Sequence, residues 1–169
     1  MAGEGRIVAF PPVAPPGART LVLGSMPSVE SLNQGFYYAH PRNAFWRILA
    51  EVYGESVPGD IDAKVALLTR HDIALWDVLH SCIRRGSLDS AIREPRPNDF
   101  GALFDRCPGI DRILFNGQTA QALFIRHAGD WLENRRSVRL PSTSPAYTLP
   151  YEKKLALWRQ ALEEDYESV

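Results

Sequence analysis

Short apolar runs alternate along the chain with stretches in which apolar residues recur every three or four positions, the signature of strands followed by amphipathic helices. Thr20-Leu21-Val22-Leu23, closed by Gly24, reads as a buried strand. Phe45, Ile48, Leu49 and Val52 fall at helical spacing and predict a helix over 44 to 52. A second helix is expected over Ile61 to Arg70, a strand at Ile73-Ala74-Leu75-Trp76, and a short helix from Asp99 to Arg106 entered through Pro97 and Asn98. Arg112-Ile113-Leu114-Phe115 gives a third strand stopping at Asn116-Gly117, and a helix follows from Gln118 to His127. Ser137-Val138-Arg139-Leu140 is a fourth strand, closed by the loop Pro141 to Pro145. Pro150 opens a last helix to about Glu164, because its fixed φ suits a first helical turn. Strands alternating with helices imply a three-layer α/β/α fold around a mostly parallel four-stranded sheet.

At 169 residues and 45% hydrophobic, the chain is expected to form one domain over 1 to 169. Residues 1 to 19, broken by Pro11, Pro12, Pro15 and Pro16, read as an extended lead-in with no signal peptide or membrane span. Cys82 and Cys107 are too few for a four-cysteine metal site or a disulfide scaffold, which fits a reduced, cytoplasmic setting. His80-x-Cys82 is too closely spaced for a zinc pair, and His71 and His127 stand alone, so no metal is expected. No Gly-x-Gly-x-x-Gly or Gly-Lys-Ser/Thr occurs, and no cofactor is expected either. The net charge of −1 hides an uneven distribution. Residues 160 to 169 form an acidic tail with Glu163, Glu164, Asp165 and Glu167, leaving 19 cations against 16 anions before it. Such a body permits contact with phosphates without demanding it.

Ligands of open parallel sheets sit beyond the carboxyl ends of the strands. Those ends carry Gly24-Ser25-Met26-Pro27-Ser28, Asp77, Asn116-Gly117 and Pro141-Ser142-Thr143-Ser144-Pro145, residues that build either a crevice or ordinary turns. The densest stretch runs from 24 to 46, GSMPSVESLNQGFYYAHPRNAFW, which looks too rich in Gly, Pro and Ser for regular structure. Gly24 permits close backbone approach to a ligand, and Tyr37 and Tyr38 offer flat faces for a base, worth roughly 1–3 kcal/mol each. Phe45 and Trp46 read as core aromatics, and Phe36 as either core or site. Asn43 can cap the helix that follows, hold a water or sugar hydroxyl, or do both.

This stretch resembles the first motif of the uracil-DNA glycosylase superfamily. It is similar without gaps to the mismatch-specific pattern Gly-x-x-Pro, then Gly-Phe-x-aromatic-Ala-His-Pro-x-Asn-x-Phe-Trp. Asn116-Gly117-Gln118 resembles that family's strand-to-helix glycine, and Leu140 to Pro145 its second motif. Met26 stands where mismatch-specific members place a water-positioning Asn, and its thioether cannot orient water. The combination Gly-Ser-Met-Pro-Ser, Tyr-Tyr-Ala-His-Pro-Arg-Asn and Ser-Thr-Ser-Pro is similar to the hypoxanthine-DNA (deoxyinosine) glycosylase branch, in which the Asn matching Asn43 is taken as catalytic.

The resemblance implies a monofunctional enzyme acting on DNA that contains a deaminated base, hypoxanthine first, with uracil or xanthine in view. A monomer is expected, with DNA and not a membrane as its partner. Asn43 would be catalytic. Gly24, Ser25 and Met26 through their backbone, together with Tyr38, His40, Asp77 and Asn116, would hold the base, Asp77 by accepting N1–H. His40 reads equally as a structural residue. Ser28, Ser142, Thr143 and Ser144 would contact DNA, and Tyr147 would fill the gap in the stack because Ala146 is too small to act as a wedge. Arg84, Arg85, Arg93, Arg96, Arg135, Arg136 and Arg139 are candidate phosphate contacts or an ordinary solvated face. Lys64, Lys153 and Lys154 are expected away from the motif ends, so no amine would form a Schiff base with the abasic sugar. The competing readings are a catalytically silent binder of DNA or nucleotides and a uracil-specific enzyme.

Overall fold

The structure, a computed structural model, describes residues 5 to 164, so Asp165 and Glu167 of the expected acidic tail lie outside the described residues. Four parallel strands form the central sheet in the order β3-β2-β6-β7: β2 (Thr20–Gly24), β3 (Ile73–Asp77), β6 (Arg112–Asn116) and β7 (Arg136–Leu140). β2, β3 and β6 are buried at every position, which explains their unbroken apolar runs, since helices cover both faces of such a sheet. β7 is an edge and alternates with solvent more openly.

The helices bear out the pattern closely. α2 (Phe45–Tyr53) packs on α6 (Tyr151–Leu162), with the Phe45 and Trp158 rings meeting edge to face at 6.0 Å. α3 (Ile61–Arg70) lies against β3, and α5 (Gln118–Ala128) against β6 and β7. Phe124 of α5 joins Phe100 of α4 (Phe100–Arg106) at 4.9 Å and Phe115 of β6 at 5.5 Å. Arg112, buried on β6, donates to Thr20 Oγ1 at 2.8 Å and to the carbonyl of Ala161, tying sheet to α6.

Two features depart from the sequence reading. Residues 24 to 46 do contain regular structure: α1 (Val29–Gln34) is capped by Ser28, whose hydroxyl accepts from Ser31 N, and ends at Gly35 with φ 79°. A three-stranded antiparallel sheet, β1-β4-β5, also stands beside the main one: β1 (Ile7–Val8), β4 (Leu79–Ile83) and β5 (Arg93–Pro97). The lead-in is therefore partly a strand. The sequence Arg-Glu-Pro-Arg-Pro argues against β5 because proline cannot donate to a ladder, and an edge strand is where it is tolerated. Arg6 clamps the sheet by donating to Ser81 Oγ and the Glu94 carbonyl.

Phe124→Ala removes a fully buried ring that packs on Phe100 and Phe115 and is not itself one of the strand-end residues. It is expected to lower unfolding stability by about 3–5 kcal/mol in a urea titration while leaving the geometry beyond the strand ends intact.

Candidate active site

Because the four central strands are parallel, their carboxyl ends share one edge of the sheet. Gly24 pairs with Asp77, and Asn116 with Leu140, so the motifs after all four strands meet there. A chain of hydrogen bonds fixes them. Asn116 Nδ2 donates to Thr143 Oγ1 at 3.0 Å, and Thr143 N donates back to Asn116 Oδ1 at 2.9 Å. The Thr143 carbonyl in turn accepts from Ala44 N at 3.0 Å, which joins the loop after β7 to the turn before α2. Gly117, at φ 100°, lets this loop come close: a Cβ there would sit 3.3 Å from that of Ser142. Trp158 Nε1 and Lys154 Nζ hold the loop from α6 through the carbonyls of Pro141 and Ser144.

Asn43 stands in the turn so fixed. Its N–H donates to the His40 carbonyl, and its Oδ1 accepts from Phe45 N at 3.0 Å. The N-cap position falls to Ala44, so this bond closes a turn one residue before the cap, and it leaves the amide available because a carbonyl oxygen has a second lone pair and Nδ2 has no partner among the described residues. His40 Nδ1 accepts from Arg42 N, which places the ring proton on Nε2 as a donor. Asn43, His40, Tyr38 and Tyr147 line one cleft of about 730 Å³.

Behind Tyr38 lies a buried polar cluster. A Cβ on Gly24 would stand 2.6 Å from Asp77 Oδ1 and 2.8 Å from the Tyr38 hydroxyl, so only glycine fits beneath them. Asp77 is 2% exposed; its Oδ2 and the Tyr38 hydroxyl have no hydrogen-bond partner. Tyr38 has φ 54° and packs its ring on Phe45 at 4.4 Å, with its other side on the cleft. Burial, and then the Asp89 charge, push the Asp77 carboxyl up to about 7 against the pull of Arg84. Burial likewise raises the Tyr38 phenol. Ser25 donates to Asp89 Oδ1 at 2.7 Å on the same side.

Several expected contacts are spent elsewhere. Tyr37 is a core residue whose hydroxyl donates to the Pro11 carbonyl at 2.8 Å, so it offers no stacking face. The Met26 side chain is also in the core. Asn116 spends one N–H and one lone pair of its amide on Thr143, which holds the loop. Thr143 is buried, and so is not a DNA contact. Ser28 caps α1 and donates to Ser31 Oγ at 3.2 Å. Arg84 is buried against the carbonyls of Gly86 and Pro27, and Arg135 donates to those of Ile110 and Trp131 while stacking on Phe104. Neither presents its guanidinium freely to phosphate, whereas Tyr147 is 49% exposed at the cleft rim.

The lysines correct a further expectation. Lys64 and Lys154 line the cleft with Asn43, as do Arg42 and Arg47. Sequence reasoning missed these residues because helical periodicity gives the apolar face of α3 or α6 and not the neighbour across it.

Comparison with known proteins agrees with the geometry. The family model for the uracil DNA glycosylase superfamily matches residues 11–164. A hypoxanthine DNA glycosylase of Methanosarcina barkeri is 37% identical over 110 residues, 64% of this chain and 70% of that protein. One from Methanosarcina acetivorans is 38% identical over 112 residues, 66% and 71% of the two chains. A solution NMR structure of a candidate uracil DNA glycosylase from M. acetivorans superposes with a TM-score of 0.79 at 32% identity, covering 94% of this chain and 97% of that one.

The Asp77 pocket predicts a pH dependence of folding. A carboxyl raised in the folded state binds more protons there than in the unfolded chain, so stability falls as pH rises from about 4 to about 7 and levels off above. Asp77→Asn is expected to flatten that slope and to be the more stable protein at pH 8, by on the order of a few kcal/mol in urea titrations at several pH values.

Proposed function

The chain belongs to the uracil DNA glycosylase superfamily and is a DNA glycosylase; from that premise we propose that it hydrolyses the N-glycosidic bond of hypoxanthine flipped out of DNA, with uracil and xanthine as further substrates. The observation that carries the proposal is the Asn43 amide, anchored at one end by Phe45 N and open to the cleft at the other.

A base inside a duplex cannot be reached, and flipping it out costs a few kcal/mol, least for a poorly paired base such as hypoxanthine. Breaking its bond to deoxyribose builds positive charge on the sugar and negative charge on the leaving base, and a site that stabilises both accelerates the step. In this reading Asn43 orients the attacking water with its remaining lone pair and stabilises the oxocarbenium electrostatically. His40 donates from Nε2 to the leaving base. The Tyr38 ring supplies the stacking wall, while the backbone at Gly24, Ser25 and Met26 lies beside the base.

The orphaned atoms behind Tyr38 support the choice of base. Hypoxanthine presents an N–H beside its carbonyl, and Asp77 Oδ2, which has no partner, can accept that N–H. Adenine presents the reverse order at that edge. The nucleophile in this reading is water held by Asn43, and the buried Lys154 of the cleft wall is engaged with the Ser144 carbonyl. Ser142 and Ser144 would grip flanking phosphates, and Tyr147 would fill the gap in the stack.

A second reading rests on Met26, whose side chain lies in the core and offers no amide: the protein would then bind DNA without cleaving it. A duplex with a single inosine, incubated and treated with alkali, separates the two. Strand scission is expected for the wild type, with Asn43→Ala slower by about 10²–10³. Retained binding with no scission from either protein would establish the silent binder, and faster release from a U·G duplex would make uracil the preferred base.

A further inference from the structure

Beside the loop Gly24 to Ser28, three buried polar atoms have no hydrogen-bond partner: Asp77 Oδ2, the Tyr38 hydroxyl and Arg84 Nη1. Arg84 spends its other guanidinium nitrogens on the carbonyls of Gly86 and Pro27, and among the described residues it forms no ion pair with Asp77 or Asp89. One cation thus serves two carboxylates and is bonded to neither. Burying an unpaired carboxylate charge is costly, and a group so placed takes up a proton instead. Asp77, 2% exposed, is that group, whereas Asp89 lies on the exposed side, where water and the Ser25 hydroxyl solvate it.

Asp89 is held where it can act on that proton. It opens a 3₁₀ turn, Asp89–Ala91, in the connection from β4 to β5, which clasps the loop after β2 at three points. Ser25 Oγ donates to Asp89, Val29 N donates to Ser87 Oγ at 2.8 Å, and Arg84 reaches the Pro27 carbonyl. Burial first, and then the Asp89 charge, raise the Asp77 carboxyl against the pull of Arg84. The other titratable groups on this side are the Tyr37 and Tyr38 phenols, both raised by burial and then by Asp77, and the Cys82 thiol of β4, raised by burial. None of these is an anion near neutral pH, so Asp89 is the charge that opposes Arg84.

The leaving base decides what such a proton is for. Negative charge builds on the base as the glycosidic bond breaks, so an ionised carboxylate at its edge opposes the reaction and a neutral carboxylic acid assists it. An apolar site that keeps a carboxylic acid neutral turns it into a hydrogen-bond donor for a forming oxyanion. We propose that Asp77 meets the base as a carboxylic acid, one oxygen accepting N1–H and the other donating to the adjoining carbonyl, and that Asp89 is the positioning residue that keeps the proton there. The inference rests on the glycosylase reading and turns Asp77 from a reader of the base into a stabiliser of its anion. The hydrogen bond shortens as charge grows, and the proton stays on Asp77. Uracil and xanthine carry the same carbonyl beside an N–H, while adenine has an amino group there and no oxygen to collect the charge.

The test measures single-turnover excision from an inosine-containing duplex by the full chain, at saturating protein, from pH ~5.5 to ~8.5. The wild-type rate is expected to hold on the acid side and to fall about tenfold per pH unit above about 7, as Asp77 loses its proton. Asp77→Asn, whose amide is a fixed donor and acceptor, is expected to lack that alkaline limb, and Asp77→Ala to be slower by about 10²–10³ on the acid side. Asp89→Asn keeps an oxygen for Ser25 and removes the charge, so its limb is expected at lower pH. Carbon-13 titration of the Asp77 carboxyl in the free protein reads the same proton without substrate. A midpoint of about 7 that falls in Asp89→Asn supports the inference, and one in the ordinary carboxylate range overturns it. A wild-type rate that rises with pH, or a limb that survives in Asp77→Asn, also overturns it, and an unmoved limb and midpoint in Asp89→Asn overturn the role of Asp89. A wild type that excises nothing strikes the glycosylase reading and the donation together, whereas excision with a flat wild-type profile strikes the donation alone.

Discussion

The geometry beyond the sheet depends on one backbone hydrogen bond, from Ala44 N to the carbonyl of Thr143. Ala44 opens a long amphipathic helix and Thr143 sits in a loop a hundred residues later. The Thr143 side chain is clamped by Asn116 at the end of β6, so the bond transmits the position of the central sheet to the turn holding Asn43. An amide at a helix start would otherwise be free to sample several rotamers. Here its carbonyl is pinned by Phe45 N, the turn is pinned by the loop, and the loop is pinned by the sheet. Such layered support is what a site needs if its polar groups are to act without reorganising.

The central sheet was legible because fully buried parallel strands leave uninterrupted apolar runs, and Thr20 to Gly24, Ile73 to Asp77 and Arg112 to Asn116 do so. The small antiparallel sheet was not. β4 mixes His80 and Ser81 with apolar residues, and β5 holds two prolines, so neither shows the period of a strand; their pairing is set by tertiary contacts such as those of Arg6. The short α1 hid in a loop-like composition, because six residues stabilised by a serine cap and a terminal glycine carry too little periodicity to be seen.

The site was legible in its strand-end residues and illegible in its second wall. The strand ends pointed to Gly24 and Asp77, and the family resemblance to Asn43, but whether an amide reads a ligand or braces a loop depends on what lies opposite, and Asn116 braces the loop through Thr143. The same limit applied to charge. Arginines clustered in sequence at 84 and 135 are absorbed by backbone carbonyls, while cations scattered at 42, 47, 64 and 154 converge in space. Tyr38 and Asp77, by contrast, keep polar atoms buried and unpartnered in the free protein. That desolvation penalty is stored in the folded state and is relieved by any ligand that supplies the missing hydrogen bonds.

The outer margins of the two sheets bear on how the molecule behaves in a crowded solution. β5 presents Pro95 and Pro97 with Arg93 and Arg96, and β7 presents Arg136 and Arg139. Neither margin offers the long, flat, apolar ribbon on which a foreign strand could add, since prolines interrupt one ladder and charged side chains line the other. The unwelcoming sequence of β5 thus acts as protection against self-templated aggregation.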